Sequence, residues 1–131
     1  MDKVKKSEAE WREDLSEDAF CVTRQCGTEP PGSSPLLRTK EPGTFHCVCC
    51  GQALFRTDSK YESGTGWPSF FQPISKDVLT LRDDSSHGMR RTEVLCARCD
   101  AHLGHVFNDG PRPTGLRYCM NGIALRFEKD A

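Results

Sequence analysis

The sequence predicts an α+β fold: short N-terminal helices followed by a mainly antiparallel β body of two packed sheets, held by a metal staple. Three observations carry this. Helix-capping signals are confined to the N-terminal stretch. From Gly43 onward, short β-type runs alternate with Gly, Pro, Asp and Ser punctuation. Two C-x-x-C units, Cys47-Val48-Cys49-Cys50 and Cys96-Ala97-Arg98-Cys99, stand far apart in the chain and read as halves of one tetrathiolate site.

In chain order, Ser7-Glu8-Ala9-Glu10 matches the S-x-x-E capping box, and Trp11 and Leu15 follow at helical spacing. A second short helix is expected to open at Ser16, with Glu17 and Asp18 in its first turn, and to stop at Gly27. Phe20 and Val22 belong to its apolar surface. Residues 28–35 hold three prolines, a glycine and two serines, and read as loop. Strands are expected over residues 44–48, 78–82, 89–95, 103–107 and 117–127, with a hairpin loop at 83–88 and a tight turn at 108–111. The 131 residues form one domain, with residues 1–15 as an N-terminal helical extension and 16–127 as its body.

Composition excludes several classes. The formal net charge of −1 offers no phosphate-binding surface, so nucleic acid is not an expected partner. No apolar run approaches transmembrane length, and no membrane partner is expected. The charged N-terminus has no apolar core of a signal peptide. The eight cysteines therefore read as metal ligands and working thiols of a reducing, cytoplasmic setting, not as a disulfide framework. A monomer is expected.

The metal reading assigns one structural zinc ion to Cys47, Cys50, Cys96 and Cys99. One tight turn presents two sulfurs, and Gly51 and Asp100, which follow the two pairs, tolerate the left-handed backbone such turns require. Cys47 with Cys49, or Cys49 with Cys50, are rival pairings; symmetry with the second unit favours Cys47 and Cys50. A thioredoxin-type redox C-x-x-C would need a surrounding βαβ pattern, which is absent.

Cys119 is one of four cysteines the metal does not use, and it stands apart in Gly115-Leu116-Arg117-Tyr118-Cys119-Met120-Asn121. On a strand, side chains repeat with a period of about two, which puts Arg117, Cys119 and Asn121 on one face. A guanidinium beside a thiol favours the thiolate, the nucleophilic form. Trp67 lies in a glycine-rich turn of the kind that exposes a ring or aims it at a pocket, His102 and His105 follow the second C-x-x-C unit, and Asp109 comes next. The plainer readings are core packing for Trp67, structural roles for the histidines, and an inert thiol at Cys119.

Ser63-Gly64-Thr65-Gly66-Trp67-Pro68-Ser69-Phe70, Ser86-His87-Gly88-Met89, Cys99-Asp100-Ala101-His102-Leu103-Gly104-His105-Val106-Phe107 and Arg117-Tyr118-Cys119-Met120-Asn121 together closely resemble the B-type methionine sulfoxide reductases, over nearly the whole chain. The resemblance implies reduction of methionine-R-sulfoxide, free or in oxidised proteins. It implies an active site that includes Trp67, His102, His105, Asp109, Arg117, Cys119 and Asn121. The residue chemistry agrees. Cys119 attacks the substrate sulfur, Arg117 favours its thiolate, and His102 and His105 supply protons. Asp109 orients one histidine, and Asn121 holds substrate or Cys119. Trp67, His87 and Phe107 are expected to face the substrate, with His87 equally readable as a turn residue.

In one respect the chain departs from that pattern. Many members of the family carry a second, resolving cysteine between the two glycines before the tryptophan, where this chain has Thr65. Cys21, Cys26 and Cys49 remain. Cys26 is the expected resolver, because it lies at a helix end beside a Pro/Gly/Ser-rich loop. The disulfide would pass to thioredoxin or a similar dithiol. The rivals are a one-cysteine cycle, a non-catalytic zinc-ribbon protein-binding module, and a zinc hydrolase built on His102 and His105.

Overall fold

The computed structural model describes residues 3–85 and 88–130. Helix α1 (Glu8–Asp14) starts on the expected capping box: Ser7 Oγ accepts from Glu10 N–H, and the Glu10 carboxylate accepts from Ser7 N–H. Helix α2 (Glu17–Arg24) is capped by Ser16. It ends before the expected Gly27, because Cys26 takes the left-handed turn (φ 55°) and the N–H groups of Gln25 and Gly27 both fall on Cys21 O. Trp11 is buried beneath the Arg24 guanidinium, 4.5 Å from the ring centre, so the N-terminal extension belongs to the core.

Nine strands follow among the described residues: β1 (Gly43–Cys47), β2 (Ala53–Arg56), β3 (Lys60–Tyr61), β4 (Ser69–Phe70), β5 (Leu79–Asp84), β6 (Arg91–Cys96), β7 (His102–Phe107), β8 (Arg117–Met120) and β9 (Leu125–Lys129). They form two antiparallel sheets, β2-β1-β9 and β3-β4-β8-β7-β6-β5. Phe55 stacks on Phe70 at 4.3 Å, and Phe45 meets Phe70 edge-on at 5.0 Å, so aromatic rings join the smaller sheet to the larger. All three are fully buried, each stabilising the fold by about 1.5–3 kcal/mol through lost water contact.

Two sequence expectations need correction. Residues 117–127 are not one strand. β8 and β9 belong to different sheets, and a 3-10 turn at Gly122–Ala124 carries the chain between them. Gly122 is required there, since a Cβ would stand 1.9 Å from Ser34 Oγ. Asp83 and Asp84 lie in β5, not in the hairpin loop, because β5 and β6 stay paired as far as Asp84 opposite Arg91. β2, β3 and β4 went unrecognised in the sequence; two- and four-residue strands are too short to display alternation.

Candidate active site

The register of the larger sheet builds the site. Directly paired residues form a single row across all six strands: Arg82 on β5, Glu93 on β6, His105 on β7, Cys119 on β8, Ser69 on β4 and Tyr61 on β3. Paired residues of antiparallel strands project to the same face, with Cβ atoms about 4.5–5.5 Å apart. His105 is thus the immediate neighbour of Cys119.

Cys119 is half-buried in a small cleft of about 100 Å³, lined by Thr28, Trp67, Arg91, Gly104, His105, Phe107, Cys119 and Asn121. Gly104 is obligatory, since a Cβ would meet Cys119 O at 2.1 Å. Larger cavities exist, including one of about 720 Å³ between α2, the 28–36 segment and β9, but neither Cys119 nor a histidine lines it.

Thr65 Oγ1 lies 3.8 Å from Cys119 Sγ, and Ser63 joins Thr65 and Ser69 at 2.8 and 2.7 Å. Burial pushes the Cys119 thiol above its usual range; Thr65, the Arg117 charge and Ser69 pull it down without reversing the shift. Arg117 favours the thiolate, but desolvation outweighs it. The Asp109 expectation is corrected. It orients neither His102 nor His105; its carboxylate accepts from Arg117 Nε at 2.8 Å and Nη2 at 3.1 Å, fixing the guanidinium over the Phe107 ring.

The histidines are held by acids that the sequence reading did not single out. His105 Nε2 lies 2.7 Å from Asp84 Oδ2, and His102 Nδ1 lies 2.7 Å from Glu93 Oε2. Burial lowers the His102 pKa, although Glu93 works against it. Burial alone would raise Glu93, yet Arg82 and His102 hold it below the ordinary carboxylate range. His102 does not line the cleft; its ring sits 5.5 Å from that of His105. Glu93 follows Arg91 and Thr92 in sequence, so nothing local marks it as buried.

Asn121 is buried, and its side chain binds backbone: Nδ2 donates to Leu103 O, and Oδ1 accepts from Glu29 N–H. Glu29, also missed, is a hub. Its carbonyl accepts from Trp67 Nε1 at 3.0 Å, and its carboxylate accepts from the N–H groups of Gly122 and Ile123. Trp67 and Phe107 reach the cleft as expected; His87 lies outside the described residues.

At the far end of β6 and β7, the Sγ atoms of Cys47, Cys50, Cys96 and Cys99 all lie within 4.8 Å of one another, with Cys47–Cys99 and Cys50–Cys96 at 3.6 Å. A tetrahedral ion with bonds of about 2.3 Å needs its sulfurs about 3.8 Å apart, so the four residues fit one metal ion. Cys49 is not one of these four, which favours the Cys47 and Cys50 pairing. Gly51 and Asp100 take positive φ, 81° and 62°, as expected. Arg24 Nη2 donates to Cys99 O and approaches Cys99 Sγ at 3.7 Å.

The SelR domain family matches residues 15–129. A peptide methionine sulfoxide reductase MsrB of Azotobacter vinelandii is 58% identical over 98% of this chain and 96% of its own length. That of Hahella chejuensis is 57% identical over 97% of this chain and 91% of its own length. The chain belongs to the MsrB family. Membership makes it an enzyme, an oxidoreductase. A further MsrB relative, from Pseudomonas aeruginosa, is 56% identical over 96% of each chain. The fold of this MsrB-family chain also resembles the Mis18 'Yippee-like' domain (TM-score 0.55, 19% identity, 70% of this chain and 99% of that one), a likeness of architecture alone. No helix among the described residues is long and apolar enough to cross a membrane.

Proposed function

We propose that this protein reduces methionine-R-sulfoxide, free or in oxidised proteins, at Cys119. The observation that carries the reading is the cleft itself: among the described residues a thiol, an imidazole, a tryptophan and a phenylalanine surround a space of about 100 Å³, suited to an S-methyl group. Sulfur–aromatic contact with Trp67 or Phe107 favours a thioether by roughly 0.3–1.5 kcal/mol. The Cys119 thiolate attacks the sulfoxide sulfur, and His105, held by Asp84, delivers a proton to the departing oxygen. Arg117, clamped by Asp109, stabilises the thiolate. In net terms oxygen passes to Cys119, whose sulfur is oxidised by two electrons to a sulfenic acid while the methionine sulfur is reduced by two.

Cys26 then attacks the Cys119 sulfur, and the sulfenic oxygen leaves as water with the Cys26 proton. The placement of Cys26 supports this role. Its sulfur lies 3.8 Å from Glu93 Oε2, and Glu93 is separated from Cys119 in the sheet row only by His105. A thioredoxin-type dithiol reduces the disulfide by exchange. The four-cysteine site holds zinc, a metal that accepts four thiolates in a closed tetrahedron, and its role is structural. The protein acts as a monomer.

The test is peptide mass spectrometry of the reduced protein after one turnover with racemic methionine sulfoxide. A Cys26–Cys119 bridge, with only the R epimer consumed, is expected. Consumption that leaves Cys119 as sulfenic acid overturns Cys26 as resolver. An intact Cys119 thiol with no consumption overturns the reductase reading.

A further inference from the structure

Three ligand-type side chains outside the four-cysteine cluster converge where α2, β6 and β7 meet. Cys26 Sγ, Glu93 Oε2 and His102 Nδ1 all lie within 4.8 Å of one another. Glu93 Oε2 stands 2.7 Å from the imidazole nitrogen and 3.8 Å from the sulfur. Its other oxygen, Oε1, accepts from Arg82 Nε at 2.9 Å and Nη2 at 2.7 Å. Glu93 and His102 are buried on paired strands, while Cys26 is exposed at the end of α2.

We propose that Cys26, Glu93 and His102 form a second metal site, which takes a thiophilic divalent cation such as Zn²⁺ and thereby caps the Cys26 thiol. A mixed sulfur, nitrogen and oxygen donor set is one that zinc accepts, and three protein ligands with a fourth position open to solvent is the arrangement of a non-structural zinc site. Bonds of about 2.0–2.3 Å put neighbouring donors about 3.3–3.6 Å apart. The nitrogen–oxygen pair must open by roughly half an ångström, and the sulfur–oxygen pair closes slightly. The exposed Cys26 side chain and the Glu93 carboxylate can supply both movements.

The Arg82 fork acts as the outer partner that such sites require, fixing the carboxylate plane and leaving Oε2 for the ion. Thiolate and carboxylate balance the double charge. Binding breaks the Cys26 S–H bond and forms a sulfur–metal bond, with the proton released to solvent. The neutral His102 imidazole moves its proton from Nδ1 to Nε2. No electrons are exchanged. The regulatory consequence rests on the proposed role of Cys26: an occupied site withholds the resolving thiol, so sulfoxide is reduced at Cys119 but the disulfide does not form.

The experiment starts from reduced protein whose four-cysteine site is filled by one zinc. Zn²⁺ is added in competition with a chromophoric chelator, and alkylation of Cys26 by iodoacetamide is followed by peptide mass spectrometry. A second equivalent is expected to bind, to release one proton and to protect Cys26. Cys26→Ser should weaken that equivalent at least about tenfold. Cys21→Ala and Cys119→Ser should leave it intact. His102→Ala should weaken it too, but exposed Cys26 carries the test if that buried variant misfolds. Absence of a second equivalent, or one indifferent to Cys26→Ser, overturns the site. Turnover with thioredoxin and no added zinc separates the two ideas. A Cys26→Ser variant that still recycles sinks the resolver and leaves the metal site standing. One that stops recycling while wild type binds no second zinc does the reverse.

Discussion

At the scale of single residues, Thr65 is the most instructive position. It occupies the place where many family members have a resolving cysteine, yet its hydroxyl is not idle: it faces Cys119 Sγ at 3.8 Å and is tied to Ser63. Once Cys119 ionises, a hydroxyl in that position can only donate to it. Burial holds the thiol above its usual range, so its reactivity climbs with pH through and above neutrality. Thr65→Val keeps the shape and removes the donor. Loss of one hydrogen bond of about 1 kcal/mol should move the Cys119 alkylation profile to higher pH and lower its rate at neutral pH about fivefold, with the high-pH plateau unchanged. A profile that does not move would mean the hydroxyl never supports the thiolate. Cys119 was legible as the nucleophile candidate because it stood outside the paired C-x-x-C units and on an expected strand face with Arg117 and Asn121. Glu93 and Asp84 were not, because what makes them partners of His102 and His105 is strand register, and one residue of slip would turn them to the other face.

The elements show the same division. Capping boxes and C-x-x-C turns are local, and α1, the start of α2 and the metal turns sit where the sequence puts them. The 28–34 segment read only as loop, because its order comes from distant contacts. Gly32 N–H donates to Gly66 O, Gly66 leaves no room for a Cβ beneath Pro31 (2.6 Å), and Glu29 binds Trp67, Asn121 and the 122–124 turn together. This segment is a strap across one wall of the cleft, and Glu29 is its fastening. Glu29→Ala strands the Gly122 and Ile123 N–H groups, at about 1–3 kcal/mol each where water cannot reach them. The expected result is a lower melting temperature with a raised KM, because the strap is unfastened from the 122–124 turn and the Glu29 main chain, which holds Trp67 and Asn121, shifts with it. Glu29→Gln, whose amide oxygen still accepts one of the two bonds, should fall between the two. A raised KM in Glu29→Ala at a temperature where it remains fully folded separates positioning from stability; an unchanged KM there would leave Glu29 as a stabilising residue only.

For the molecule as a whole, the four-cysteine site joins parts that otherwise meet mainly through aromatic packing. Cys47 ends β1 in the smaller sheet, while Cys96 ends β6 in the larger one and Cys99 lies in the turn that leads to β7. Arg24 links that turn to α2, Trp11 packs under Arg24, and Lys3 and Val4 reach Asp100 and Arg98. A metal there would therefore support α2, which leads to Cys26, as well as the two sheets. Structural zinc binding in small domains is worth about 10–16 kcal/mol, which matches or exceeds the whole stability of about 5–15 kcal/mol typical of a domain. Removing the ion should abolish the cooperative melt seen by circular dichroism, not merely lower its midpoint. Cys96→Ser should behave as the chelated wild type does. Cys49→Ser should melt as wild type, because Cys49 shares the turn but lies outside the sulfur cluster. If chelation instead left a cooperative transition within a few degrees of the original, the aromatic layer of Phe45, Phe55 and Phe70 would be holding the sheets together unaided, and the cysteine cluster would be a local brace on two turns.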